Sequence, residues 1–132
     1  MEIILTAWAL DSYLELKHRG IFTNKDYKET IRPDVLLLAD YPDNPRFRNS
    51  KFWSQATDSS GNWIQNGYKM KWHNIGNGKV QIRLPVGIFA TAILCEAYSK
   101  GNSKEEKRRL ARFKTHLELI RRNQYTEHGR LS

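Results

Sequence analysis

Basic side chains recur at every second position of one short segment, a spacing that places them on one face of a β-strand. Lys69, Lys71 and His73 alternate there with apolar residues, and Arg83 takes a polar position in a second alternating segment, 80–84. Lysine binds a phosphate group as a point charge, arginine binds it as a planar fork, and histidine exchanges its proton near neutral pH. On one surface, these residue types suit the binding of a polyanion and proton transfer beside it.

Two strands joined by a tight hairpin are expected to position these side chains. Segments 68–75 and 80–84 both alternate with a period of two, which is typical of strands with one buried face. The sequence GNG at 76–78 lies between them and is a hairpin signal. The pattern therefore predicts an antiparallel pair with its basic residues facing away from the core.

The register of this hairpin follows from keeping the apolar side chains together. A two-residue turn would pair Trp72 with Arg83 and mix the faces, whereas a three-residue loop, 76–78, pairs Ile75 with the residue after the loop and sets Lys71 opposite Arg83. Like charges that face each other across two strands destabilise the pair, and an anion between them removes the repulsion. A solvated polar face without a ligand is the alternative interpretation.

A third strand is expected to bring two more functional groups to this face. Segment 88–98 contains the apolar run FATAILC, which follows Pro85 and Gly87 and is typical of a central, buried strand. Tyr98 and Lys100 lie at its end, so both would lie beside the basic residues of the hairpin.

The first part of the chain predicts a strand and two antiparallel helices. Residues 2–9 are apolar and β-prone, and the following segment has Ser12 and Glu15 at the spacing of a capping box. A second helix is expected over about 24–41. Segment 42–66 reads as a long loop that closes a small hairpin. Its aromatic residues are expected to anchor the loop to the core, and stacking on a nucleobase is the alternative for one of them: Phe47, Phe52, Trp53 and Trp63.

A basic helix is expected after Gly101. Ser103 and Glu106 have capping-box spacing, and an apolar stripe follows at helical intervals. Residues 124–132 lack periodicity and are expected to form a flexible C-terminal tail. The chain is therefore predicted to be a single α+β domain over 1–123, with an N-terminal strand and helical hairpin packed on an antiparallel sheet and the basic helix at its C-terminal end.

Composition narrows the classes of function. The 132 residues carry a formal charge of +8, and the whole surplus lies in 67–132, where 14 Lys and Arg face 5 Asp and Glu. Such an asymmetry indicates an acidic partner, most often a nucleic acid, although a solvated basic face is the alternative. The longest uncharged stretch, 84–95, has 12 residues, fewer than the roughly 20 that cross a membrane.

The single cysteine, Cys95, excludes an internal disulfide and indicates a reducing compartment. The N-terminus has none of the pattern of a secretory signal, so we expect a cytoplasmic protein. No Cys and His spacing in the sequence suggests zinc. The sequence thus predicts no metal, no cofactor and no membrane partner.

Three short motifs make the chain resemble the RelE/ParE toxin superfamily of type II toxin–antitoxin systems. The run YKMK at 68–71 is similar to the Tyr-Lys-x-Lys strand of the RelE branch, Arg83 lies near the position of that branch's arginine, and AYSKG at 97–101 is similar to its apolar strand ending in Lys or Arg. The Lys- and Glu-rich helix that follows resembles the HigB-like members. The resemblance covers about residues 1–123, and the loop at 42–66 is longer than is usual in the family.

The resemblance implies metal-independent cleavage of mRNA, on the ribosome or free of it. In that reaction the 2′-hydroxyl of the substrate attacks the adjacent phosphate, so the protein supplies a base, cations for the charge on phosphorus, and an acid for the leaving 5′-oxygen. The residues implied are Lys71 or His73 as base, Lys69 and Arg83 at the phosphate, and Tyr98 or Lys100 near the leaving group. Further RNA or phosphate contacts are assigned to Lys79, Lys107, Arg108, Arg109 and Arg112.

Two other functions remain open from the sequence. A ParE-like member would inhibit a topoisomerase or gyrase by binding, without cleaving RNA. A basic nucleic-acid-binding accessory protein would keep the fold without toxicity. The convergence of Lys71, His73 and Arg83 favours the ribonuclease, whose partners would be RNA, the ribosome and a cognate antitoxin protein.

Overall fold

The computed structural model describes residues 1–76 and 78–132, so Asn77, in the predicted hairpin turn, lies outside the described residues. The chain is α+β, as predicted. Its strands are β1 (Ile3–Thr6), β2 (Trp53–Thr57), β3 (Trp63–Ile75), β4 (Val80–Ile88), β5 (Ala92–Leu94), β6 (Tyr98–Ser99) and β7 (Glu127–Leu131). Its helices are α1 (Ala7–His18), α2 (Asn24–Asp26), α3 (Arg32–Leu36) and α4 (Ser103–Arg121), with a π turn at Tyr27–Ile31 and 3₁₀ turns at Leu37–Asp40 and Pro45–Arg48.

The sheet is mixed, which corrects the prediction of an antiparallel one. Its strand order is β2-β3-β4-β5-β1-β7, and β6 pairs separately with β4. Strand β1 runs parallel to β5 and antiparallel to β7. Ile3 and Ile4 point to opposite faces and are both buried, which fits a strand enclosed between two neighbours.

The first helix begins earlier than predicted, because Thr6 ends β1 and caps α1. The Thr6 hydroxyl accepts a hydrogen bond from the Ala9 backbone N–H at 3.2 Å and donates one to the Leu94 carbonyl at 2.7 Å. Ser12, predicted to be a cap, instead lies buried within α1 and donates to the Ala9 carbonyl at 3.0 Å. The local cap at Thr6 therefore shortens the strand expected over 2–9.

The C-terminal segment is a strand rather than the flexible tail predicted for 124–132. Strand β7 pairs with β1, and Arg130 forms ion pairs with Glu2 and Glu127. Four of the five residues of β7 are exposed, so the strand is held by backbone pairing and leaves no apolar alternation in the sequence. The folded unit thus extends beyond residue 123.

Two apolar clusters lie on opposite faces of the sheet. On one face, Leu16 of α1 and Val35 of α3 pack with Trp72 and Leu84. On the other face, α4 packs with β1, β3 and β5 through a stripe that includes Phe113, Leu117 and Ile120. The basic side chains of β3 and β4 lie on this second face of the sheet, next to the first turn of α4. Within the described residues, no helix is long and apolar enough to cross a membrane.

Candidate functional site

The hairpin of β3 and β4 brings the predicted cross-strand pair together. Lys71 lies directly opposite Arg83, which confirms the predicted register at this point. Ile75, however, pairs with Val80, because β3 contains one extra residue between Trp72 and Ile75. Such a β-bulge changes the direction of the strand end without disturbing the pairs before it. The Lys71–Arg83 pair is therefore set by the regular part of the hairpin.

The third strand is interrupted, and only its end reaches the site. Strands β5 and β6 replace the continuous strand predicted over 88–98, with residues 95–97 between them. Tyr98 of β6 pairs with Arg83 of β4, so Lys71, Arg83 and Tyr98 form a row across three strands. The Lys100 backbone N–H donates to the Gln81 carbonyl at 2.8 Å, which holds Lys100 beside β4.

We call the four basic residues on this face the cation cluster: Lys69, Lys71, Arg83 and Lys100. The pKa of the Lys71 amine is lowered, first by burial and then by the charges of the other three members. Its Nζ atom also donates a hydrogen bond to the Ser50 carbonyl. A lysine with a lowered pKa releases its proton more readily than an ordinary lysine, so Lys71 is suited to accept a proton from a substrate.

Arg83 is the most buried member of the cation cluster. Its side chain is only 5% exposed and donates hydrogen bonds to the Gln81 side-chain oxygen at 2.8 Å and to the Ile82 carbonyl at 3.3 Å. Burial lowers the pKa of the Arg83 guanidinium, while Tyr98 and Glu106 oppose that shift. Arg83 thus contributes positive charge from beneath the surface.

Glu106 is the residue of the site that the sequence did not identify. Its Oε1 atom accepts a hydrogen bond from the Tyr98 hydroxyl at 2.7 Å and lies 3.5 Å from Lys69 Nζ. Its Oε2 atom is buried and has no hydrogen-bond partner within the described part of the chain. Burial, then the bond to Glu106, raises the pKa of Tyr98, so its phenol stays protonated. One carboxylate therefore engages both a lysine and a tyrosine of the predicted site.

A different helix cap explains why Glu106 is free to reach the sheet. Asn102, not Ser103, caps α4, and its side chain accepts a hydrogen bond from the Glu105 backbone N–H at 2.9 Å. With the cap one residue earlier, Glu105 takes the position expected for Glu106. Asparagine is as strong a capping residue as serine, so the sequence NSKEE at 102–106 already contained the signal for a helix that begins after Asn102.

His73 lies at the bulge of β3 and is exposed. Its Nε2 atom is 2.6 Å from the Lys51 carbonyl oxygen. Because a carbonyl only accepts hydrogen bonds, Nε2 must carry the proton, and in the neutral ring Nδ1 is the free acceptor. His73 is thus held by the loop before β2.

The other predicted phosphate contacts fall into two groups. Arg109 and Arg112 both form ion pairs with Glu96 Oε1, at 2.7 and 2.8 Å. Lys107 and Arg108 are exposed on α4 and make no ion pair with any described residue. Lys79 is exposed and lines the same shallow groove as Lys100.

An alanine in place of Glu106 should destabilise the protein, because the Tyr98 hydroxyl and Lys69 would lose the carboxylate that they share. We expect the free energy of unfolding in urea to fall by about 1–3 kcal/mol. Glu105→Ala, at an exposed position in the same turn of α4, is the matched control and should change stability by less than about 0.5 kcal/mol. Equal effects of the two substitutions would contradict the role given to Glu106.

The remaining features of the structure lie away from the cation cluster. An apolar cavity of about 150 Å³ lies between α1, the segment from Phe22 to Val35 and the opposite face of the sheet. Across 1–76 and 78–132, no group of three or more His, Cys, Asp or Glu side chains is placed to hold a metal ion. No protein-family model, curated protein or solved structure matches the chain.

Proposed function

We propose that the protein is a metal-independent endoribonuclease toxin of the RelE/ParE type, which cleaves mRNA by attack of a ribose 2′-hydroxyl on the adjacent phosphate. The observation that carries this proposal is Lys71, whose pKa is lowered on an open sheet face directly opposite Arg83. A solvated polar face without chemistry does not need a half-buried lysine among three other cations. A phosphodiester offers the charge that relieves their repulsion.

The reaction divides among residues of the site according to their surroundings. Neutral Lys71 takes the proton of the 2′-hydroxyl, whose oxygen forms a bond to phosphorus. Arg83 and Lys69 stabilise the negative charge that develops on the phosphate oxygens. The bond from phosphorus to the 5′-oxygen then breaks, and that oxygen takes a proton from Lys100. We prefer Lys100 to Tyr98 here, because the Tyr98 hydroxyl already donates to Glu106.

Helix α4 supplies positive charge beside this reaction site. Exposed Lys107 and Arg108 are free to contact the phosphates of a longer RNA or of the ribosome. A cognate antitoxin protein is the further partner we propose, since an acidic segment laid over the cation cluster would block access of RNA to Lys71.

A second candidate function is binding of nucleic acid without cleavage. The contacts of Glu106 with Lys69 and Tyr98 favour it, because they withdraw two polar groups from chemistry. A ParE-like inhibitor of a topoisomerase would fall in the same class. Neither of these two functions breaks cellular RNA, and this separates both of them from the proposed cleavage.

Inducible expression in bacteria tests the proposal. We expect growth arrest with rapid breakdown of mRNA, and loss of both effects in the double variant Lys71→Ala, Lys100→Ala. The matched control is Lys17→Ala, Lys28→Ala, which removes two exposed lysines from the other face and should arrest growth like the wild type. Normal growth, or arrest with intact mRNA and altered plasmid supercoiling, would contradict cleavage, and the latter would favour the ParE-like function.

A further inference from the structure

Trp63 is a large aromatic side chain left on the surface. Only Met1, Leu14 and Trp63 are exposed large apolar residues among those described, and Trp63 is the most exposed at 69%. The other aromatics of segment 42–66, for which anchoring to the core was predicted, are buried: Phe47, Phe52 and Trp53. An indole with this much exposed surface is suited to contact a partner.

The turn before Trp63 holds this side chain in a defined place. Asp58 accepts hydrogen bonds from the backbone N–H groups of Ser60 at 2.9 Å and Asn62 at 3.0 Å. The Asp58 backbone N–H also donates to the Asn62 carbonyl at 2.8 Å. Thr57 then pairs with Trp63 across β2 and β3. A side chain presented by an ordered turn loses little entropy when it binds.

One flank of α4 connects Trp63 to the cation cluster. Lys107, Lys114 and Arg121 are seven residues apart, which places them on one side of the helix. Lys114 lies 3.6 Å from Asp58, and an Arg121 guanidinium nitrogen donates to the Gln65 carbonyl at 2.8 Å. This flank therefore faces the hairpin of β2 and β3.

The two ends of this flank lie at the two features of interest. In the first turn of α4, Glu106 contacts Lys69 of the cation cluster. In the last turn of α4, Arg121 lies next to the start of β3, where Trp63 is. Eight residues of strand separate Trp63 from Lys71, which corresponds to about 27 Å. A single strand of a few nucleotides spans such a distance.

We propose that Trp63 is a stacking platform for an unpaired nucleobase of a single-stranded RNA that runs from the cation cluster along this flank of α4. The inference rests on the proposed function and adds a binding site to it, distant from the reacting phosphate. Stacking on an aromatic ring accepts any base, while Lys107, which forms no ion pair with any described residue, contacts the RNA backbone. The exposed indole beside a basic flank favours RNA as the occupant, because RNA supplies both a base to stack on Trp63 and phosphates for the cations.

Binding of an RNA oligomer that cannot be cleaved tests this site. The probe is a 2′-O-methyl RNA of about 12 nucleotides, within the roughly 4–16 that one single-strand-binding domain covers. Trp63→Ala should weaken binding about 5- to 150-fold, the range found when a stacking aromatic is removed. Leu14→Ala, an exposed apolar residue of α1, is the matched control and should bind like the wild type.

The dependence of affinity on salt separates stacking from charge. Because Trp63 contacts no phosphate, Trp63→Ala should leave the slope of log affinity against log salt unchanged. Lys107→Ala should reduce that slope by about 0.7, the value for one phosphate contact with a single strand. Binding should also protect the tryptophan fluorescence of the wild type from acrylamide, and this protection should be absent in Trp63→Phe if the base covers Trp63.

The outcomes distinguish this inference from the function it rests on. If the wild type binds the oligomer and Trp63→Ala binds it equally well, the stacking site is wrong and the ribonuclease proposal stands. In that case we expect the exposed indole of Trp63 to contact a protein partner instead of RNA. If the wild type does not bind the oligomer at all, both proposals are overturned.

Discussion

Replacing Lys71 with glutamine is expected to lower the rate of RNA cleavage by about 10²- to 10⁴-fold, the contribution of a positioned general base. Glutamine keeps a polar side chain of similar length but can neither accept a proton nor carry charge. Rates are measured with purified protein and a labelled RNA. Lys17→Gln, at an exposed position of α1, is the matched control and should cleave at the wild-type rate.

A second variant at this position separates the charge of Lys71 from its basicity. Lys71→Arg keeps the positive charge, but arginine does not release its proton in proteins. We expect the arginine variant to bind RNA like the wild type and to be as slow in cleavage as the glutamine variant. Wild-type cleavage by Lys71→Arg would contradict the role of Lys71 as base.

The second large effect is a dependence of both activity and stability on pH. The pKa of Lys71 lies below its ordinary value of 10.5, so the neutral amine that acts as base increases as the pH rises through the lowered pKa. Cleavage should rise with pH over this range, and Lys71→Arg should remove the rise. A rate that does not change with pH would contradict proton transfer to Lys71.

The same lowered pKa predicts the sign of the effect on stability. The unfolded chain holds the Lys71 proton more tightly than the folded chain, so charged Lys71 destabilises the fold below its folded pKa. This penalty disappears as the pH rises towards the ordinary value of 10.5. At pH 7, Lys71→Met should therefore increase the urea concentration at the midpoint of unfolding, whereas Lys17→Met should leave it unchanged. A lower midpoint for Lys71→Met would show that Lys71 stabilises the fold.

The sequence allowed the central hairpin to be predicted because its side chains alternate regularly from Tyr68 to Trp72 and from Val80 to Leu84. That alternation fixed the facing pair of Lys71 and Arg83, which the structure confirms. The bulge after Trp72 was missed although it leaves a mark in the sequence: His73 and Asn74 are two polar residues in succession, so the alternation breaks before Ile75.

Strand β7 and Glu106 could not be found from hydrophobic patterning. Strand β7 lies at a sheet edge with exposed side chains, so backbone pairing alone holds it there. Glu106 was missed because Asn102 and Ser103 are adjacent candidate N-caps of α4, and either of them fits the local sequence. The mixed order of the sheet depends on which strand lies beside β1, and that is decided by long-range packing.

The ion pairs change how the charge of the chain is interpreted. Two of the basic residues predicted to contact phosphate, Arg109 and Arg112, share Glu96, and Lys69 shares Glu106 with Tyr98. The formal charge of +8 thus overstates the number of cations available to a ligand. Five of the predicted RNA contacts reach the surface and form no ion pair with any described residue: Lys71, Lys79, Lys100, Lys107 and Arg108.

The most direct measurement is incubation of the purified protein with mRNA in two arms, one in EDTA without ribosomes and one in magnesium with translating ribosomes, followed by analysis of the new RNA ends. Attack by the 2′-hydroxyl predicts fragments with 2′,3′-cyclic phosphate ends and 5′-hydroxyl ends, formed without a free divalent ion and absent with Lys71→Gln. Because ribosomes need magnesium, the arm with ribosomes contains it, and the same end groups identify the reaction there. RNA that stays intact in both arms, or fragments with 5′-phosphate ends, would contradict the proposed mechanism.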